Sequence, residues 1–292
     1  MLMSWLVLSA VALAQPAPSQ DIVVTGTKAT HDAVAQYVET ITADVDGQLA
    51  RFRAPICAAS FGLPAAYNAV IEQRIRDEAV RAGLLVAGEH CDANVVLIVA
   101  DDPGPLVKAL RRERPQMFSG LEFRQIEEVL RTTEPVRTWQ AMAPRGSDGR
   151  PLERAMFLES AGGPPRPIGG NGARVNPGAS NSRIRQNIQT DLVSSFVVVS
   201  AQAVDGLTLN QIADYAAMRA LAKTRPPQSM GAPTILGVFD QDSSRAKASE
   251  LTSWDVAYLR SLYLTDNGLA AHSQESAIAG AIRRDLKQPG EQ

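Results

Sequence analysis

Ser244 and Lys247 stand in a Ser-x-x-Lys arrangement, in which a lysine amine one helical turn away can draw the proton from a serine nucleophile. That chemistry needs supporting motifs further along the chain. The nearest approach to the expected Lys-Thr-Gly strand, Lys223-Thr224-Arg225, comes before it, so the match reads as coincidental. Asp101 and Asp102 form a carboxylate pair of the kind used in acid–base hydrolysis. Pro103-Gly104 follows directly, and the same two residues suit a plain strand-to-helix turn, which is the preferred reading. His31, His90 and His272 have no partner at helical spacing, and His-Glu-x-x-His is missing. Gly170-Asn171-Gly172 is half of a phosphate-loop fingerprint, without the strand before it or the helix after it. No Gly-x-Ser-x-Gly elbow occurs.

Cys57 and Cys91 are the only thiols. With His90 they fall short of a four-ligand zinc site, so a disulfide is expected. Closing so long a loop stabilises by about 3–4 kcal/mol through restriction of the unfolded chain.

The elements that would carry these residues follow from periodicity. Thr30 caps a helix with Val34, Tyr37, Val38 and Ile41 on one face, and Val45 continuing it. Leu49–Cys57 reads as a strand. Pro64 opens an amphipathic helix whose stripe is Tyr67, Val70, Ile71, Ile75, Ala79 and Val80, ended by Gly83. Val95–Ala100 is an apolar run suited to a buried strand. Strand, helix and strand in that order predict a parallel pair with a right-handed crossover, the disulfide joining the end of the first strand to the entry of the second. Leu106–Arg114 is a basic helix with a solvated face.

Between Ala143 and Asn187, repeated Gly and Pro argue against regular structure, apart from a short strand at Arg154–Leu158. Order returns with a strand in Asp191–Val204. A capping box, Thr208 with Gln211, then opens the helix Leu209–Ala222. Thr234–Phe239 reads as extended, Thr252 with Asp255 caps another helix, and Ile278, Ile282 and Leu286 mark a last one.

The bulk composition bounds the class. Hydrophobic residues make up 45% and charged ones 21% of 292 residues, as in globular proteins. A net charge of −2 gives no field to hold a polyanion, so nucleic acid is not expected as a partner. Met1–Ala14 carries an apolar run ending in Ala12-Leu13-Ala14, followed by Pro16 and Pro18. It reads as a cleavable signal peptide, too short for a membrane span. Asp21-Ile22-Val23-Val24-Thr25-Gly26 resembles the stretch after the signal peptide in many TonB-dependent outer-membrane receptors. No series of alternating strands follows, so a barrel is not expected.

The C-terminal third has a more extended resemblance. The helix Leu209–Ala222, the segment Ala232-Pro233-Thr234-Ile235-Leu236 and the run Leu251-Thr252-Ser253-Trp254-Asp255-Val256-Ala257-Tyr258-Leu259-Arg260-Ser261-Leu262-Tyr263 occur in that order. Together, over roughly residues 190–265, they resemble a family of uncharacterised exported bacterial proteins, which in turn looks like a remote branch of the zincin metallopeptidases. In active zincins two histidines on the first helix bind Zn²⁺, and a glutamate activates the bound water. The resemblance places those positions at Asp214, Tyr215 and Met218, with a third ligand at Thr224. It therefore implies a degenerate framework with no metal, no cofactor and no general base.

The expectation is thus an α+β protein whose mixed sheet holds a βαβ unit in the N-terminal half, with a zincin-like, helix-rich C-terminal part. The expected segments are a signal peptide (1–14), a linker with a short strand (15–29), a disulfide-bonded α/β half (30–142), a Gly/Pro-rich insertion (143–187) and a C-terminal half (188–292). The expected function is non-catalytic binding or scaffolding in the periplasm or outside the cell, with an envelope protein or ligand as partner. An unconventional hydrolase, using Asp214 or the Asp101–Asp102 pair, is the alternative.

Overall fold

The computed structural model describes residues 30–155, 157–158, 166–167, 173–175, 186–227, 232–240 and 247–286. The expected signal peptide, the Asp21–Gly26 run, Gly170–Gly172 and Ser244 lie outside the described residues. Along the chain come α1 (His31–Ile41), β1 (Arg51–Phe52), β2 (Ala58–Phe61), α2 (Ala65–Arg81), β3 (Val95–Ala100), α3 (Pro103–Glu113) and α4 (Phe123–Arg131). After these come β4 (Val136–Gly146), β5 (Glu153–Ala155), β6 (Phe157–Leu158), β7 (Arg166–Pro167), β8 (Ala173–Val175) and β9 (Ile188–Ser200). The helices α5 (Ala201–Val204), α6 (Leu209–Leu221), α7 (Ser253–Leu264) and α8 (Ala271–Asp285) complete the order.

The mixed sheet is organised around β9. One edge of β9 pairs antiparallel with β4, from Val136↔Val199 to Gly146↔Ile188. A strand has two edges, so β3 and β1 share the other: β3 lies parallel to Ser195–Ser200, and β1 to Asp191–Leu192. β2 lies parallel to β3 on the far side. Side chains alternate across this sheet as its pleat requires. Val95, Leu97, Val197 and Val199 join a core built with α1, α2, α6, α7 and α8. Val96, Phe196 and Val198 join a second core with Val107, Phe118 and Trp139, under α3 and α4. The result is helix, sheet and helix in three layers. Among the described residues, no helix is long and apolar enough to cross a membrane.

The βαβ unit is present as β2–α2–β3, but its first strand begins later than expected. Within Leu49–Cys57 only Arg51–Phe52 is strand; the exposed stretch Arg53-Ala54-Pro55 interrupts it, and Pro55 has no N–H to give a ladder. The Cys57–Cys91 disulfide forms, with Cα atoms 6.0 Å apart and a separation of 34 residues. It ties together the starts of two parallel strands, rather than the end of one to the entry of the next, because Cys57 directly precedes β2 and Ala58 pairs with Val95.

The buried stripe of α2 is narrower than its apolar spacing implied. Ile71, Ile75 and Ala79 are buried, whereas Tyr67, Val70 and Val80 are exposed. Glu78 is buried instead. Strand β4 extends through Gly146, and two small antiparallel pairs, β5 with β8 and β6 with β7, lie in the segment expected to be irregular. The expected strand at Arg154–Leu158 is divided between two of these. The end of Asp191–Val204 turns helical as α5. Thr234–Phe239 is a 3₁₀ turn at Ile235–Gly237 rather than an extended segment.

Candidate functional site

The capping box of α6 forms as its sequence specifies: Thr208 Oγ1 accepts from Gln211 N at 3.2 Å, and Gln211 Oε1 accepts from Thr208 N at 3.0 Å. This fixes the start of α6 and hence the azimuth of Asp214, Tyr215 and Met218. All three are buried. Asp214 takes a bidentate grip from Arg74 on α2, with Nε at 2.7 Å and Nη2 at 2.9 Å, and accepts from Leu251 N at 2.7 Å. Its carboxylate is thereby committed to holding α2, α6 and the entry to α7. Tyr215 packs edge-on against Phe239, ring centroids 4.6 Å apart, and burial pushes its phenol pKa upward. Met218 is fully enclosed, and Thr224 Oγ1 donates to Met218 O at 3.3 Å. These positions form part of the core.

Beside Asp214, the buried carboxylate of Glu78 meets Arg81 Nη1 at 2.8 Å and Arg74 Nε at 3.2 Å. Burial raises the Glu78 pKa, and the Asp214 charge adds to this against the pull of both arginines. A further buried acid, Asp255, is the other half of the α7 capping box. It accepts from Tyr37 at 2.8 Å, Thr234 at 2.6 Å and Ile235 N at 2.9 Å. Burial raises its pKa while these bonds hold it down. Asp214 and Asp255 organise helix junctions, whereas Glu78 is held by two arginines of its own helix.

Asp101 and Asp102 are exposed, and Asp102 caps α3 by accepting from Gly104 N at 2.9 Å. They sit on the α3 layer, across the sheet from α6. His31, His90 and His272 are exposed. Among the described residues no three His, Cys, Asp or Glu side chains cluster as a metal site.

The structure gathers polar chemistry elsewhere, in a cleft of about 400 Å³ over the outer edge of β4. Its walls are α4 on one side and residues 219–226, the exit of α6, on the other. Ala43 N donates to Lys223 O at 3.1 Å and Arg225 N to Ile41 O at 2.8 Å, an antiparallel bridge that fixes this exit against the end of α1. Four cations line the cleft: Arg137, Arg219, Lys223 and Arg225.

Each guanidinium there donates to neutral oxygens, and the buried Arg137 Nε has no hydrogen-bond partner among the described residues. Arg137 Nη1 donates to the free carbonyls of Val129 and Leu130 at the end of α4, at 2.8 and 3.0 Å. Arg219 donates to Thr138 Oγ1 and Thr224 O, and Arg225 to Thr42 O. Lys223 is half-buried, and burial lowers its pKa. Among the described residues none of the four makes an ion pair. The exposed Glu128 and Glu134 also line the cleft, leaving it net cationic. Sequence reading missed this site because β4 and α4 went unrecognised. The β-type run Val136-Arg137-Thr138-Trp139 after Pro135 was the signal that could have found it.

No protein-family model, curated protein or solved structure matches the chain, so its function is read from this geometry.

Proposed function

We propose that this chain is an exported, non-catalytic binding protein of the cell envelope, and that its cleft over β4 receives an anionic ligand or partner surface. The observation that carries the reading is the set of four cations, Arg137, Arg219, Lys223 and Arg225, held around one cleft with no ion pair among the described residues. Among the described residues Lys223 makes no contact ion pair, and Asp44, Asp46 and Glu128 act on it only from farther off, so its half-buried ammonium still gains from an anion that reaches it directly. The Cys57–Cys91 disulfide suits an oxidising compartment, and the apolar N-terminal run with its Ala12-Leu13-Ala14 site supplies the route.

The hydrolase alternative on a degenerate metallopeptidase-like framework draws no support from Asp214, whose oxygens are taken by Arg74 and Leu251. Nor does it draw any from Asp102, which caps a helix.

Thermal unfolding against a panel of small anions, cations and neutral sugars tests the binding reading. Phosphate or a dicarboxylate raises the midpoint of the wild type and not of Lys223→Glu. Turnover in a hydrolase panel that Asp214→Asn removes overturns it. Mass spectrometry of protein from a periplasmic fraction checks export, through cleavage after Ala14.

A further inference from the structure

The cleft holds an open sheet edge as well as charge. Ser200 N donates to Pro135 O at 2.8 Å, so the alternate residues 135, 137, 139 and 141 turn their backbone groups toward β9. Ser195, opposite Gln140, gives its N–H to Asn94 O at 2.7 Å on the other side of β9, which agrees with that phase. Val136, Thr138 and Gln140 therefore turn their N–H and C=O groups outward. Among the described residues none of these groups has a hydrogen-bond partner. The open stretch ends at Met142, whose N–H goes to Ser119 O at 2.8 Å beside the bulge at Ala141/Met142. Five residues of strand span about 17 Å.

We propose that the occupant is an extended acidic segment of a partner chain, added as a new strand along β4. This deepens the binding-protein reading and rests on it. The free edge supplies backbone affinity, and the two walls supply the choice of side chains. Successive side chains of an added strand point to opposite faces of the sheet. One face carries Thr138 and Gln140 and meets Arg219 and Lys223, which suits acidic residues. The other meets the apolar Val129 and Leu121, with Arg137 already committed to the carbonyls of Val129 and Leu130, which suits apolar residues. The recognised pattern is an alternation of acidic and apolar residues over about five to seven positions.

The probe is a fluorescent heptapeptide of alternating Glu and Val, followed by anisotropy. Its counterparts are a Lys/Val peptide and two forms of the Glu/Val peptide N-methylated at every second amide, one in each register. The Glu/Val peptide binds and the Lys/Val peptide does not. At least one methylated form, Lys223→Glu and Thr138→Pro each weaken binding tenfold or more. Thr138→Pro removes the outward N–H together with the Oγ1 that accepts from Arg219, with Thr138→Val as the control for the lost hydroxyl and circular dichroism as the check on folding; the methylated peptides test the same backbone bond on unaltered protein.

If both methylated forms bind like the parent, strand addition is overturned while the anion-binding cleft stands. If neither the peptide nor free phosphate or glutamate binds, both readings fall. Concentration-dependent dimers of the wild type that the peptide dissociates would show the edge pairing with a second copy, overturning the acidic partner.

Discussion

Arg74 Nε and Nη2 lie 2.7 and 2.9 Å from the two carboxylate oxygens of Asp214, a fork that bolts α2 to α6 on one face of the sheet. The acid is fully buried and the arginine is 24% exposed at its side chain. Each partner therefore depends on the other differently.

Removing the acid strands Leu251 N–H as well as part of the guanidinium. Asp214→Ala lowers stability by about 2–3 kcal/mol, below the usual range for a broken buried pair because Arg74 can turn to Glu78, Glu250 and solvent. Urea denaturation measures it. An Asp214→Ala protein of unchanged stability would contradict the structural role assigned to this acid.

The neighbouring Glu78 gives a pH signature. Its pKa in the folded protein is raised above the ordinary value of 4.5, chiefly by burial. The ionised form thus carries a cost that is fully present above the folded pKa and is relieved as pH falls through it toward 4.5. Relative to Glu78→Gln, which does not titrate, the wild type gains stability on acidification through that window. Denaturant titrations of both proteins at neutral pH and near pH 5 read the difference; an opposite sign would place the arginine attractions above the burial cost.

Lys223 couples stability to binding in opposite directions. Burial lowers its pKa, so holding it charged costs stability below the folded value, and that cost fades as pH rises toward 10.5. Lys223→Met raises stability at neutral pH by about 0.5–1 kcal/mol and weakens anion binding. Thermal unfolding with and without phosphate reports both effects, and a destabilised Lys223→Met would show that the ammonium is already well solvated.

The disulfide is expected to be worth about 3–4 kcal/mol. Cys57→Ala/Cys91→Ala lowers the unfolding midpoint accordingly, with the β2–β3 end of the sheet gaining hydrogen exchange first. Intact mass before and after reduction counts the bond directly; equal masses would disprove it.

Periodicity made the helices and the most apolar strand readable. Val34, Tyr37, Val38 and Ile41 lie on the buried face of α1 as spaced, and both capping boxes, Thr208 with Gln211 and Thr252 with Asp255, start their helices. Val95–Ala100 matches β3 residue for residue. Strand β4 was hidden because polar side chains occupy its buried positions. Arg137 is there to close the end of α4, and Gln140 to bond Arg219 O at 3.0 Å. The first partner lies just before the strand on α4 and the second 79 residues further on, and neither is signalled by alternation within the strand itself.

Helix α4 has no buried residue, leaving its role as a cleft wall unmarked. The 3₁₀ turn at Ile235 depends on Asp255 accepting from Ile235 N, a tertiary anchor that overrides the extended propensity of the segment. The cleft itself is assembled from residues 43, 121–142 and 219–226, brought together only by the sheet and by the bridge between Thr42 and Thr224.

The position of β9 in the chain has a consequence for how the molecule is made. Its neighbours β1, β3 and β4 are synthesised first, yet β3 and β4 meet only through β9, which follows more than forty residues after β4 ends. Until β9 arrives, both strands present unsatisfied edges, and the sheet closes by slow, non-local pairing. The nascent chain therefore spends its longest vulnerable interval with two aggregation-prone edges exposed. The local β2–α2–β3 unit, stapled by its own sulfur bridge, is the natural nucleus onto which the late strand zips.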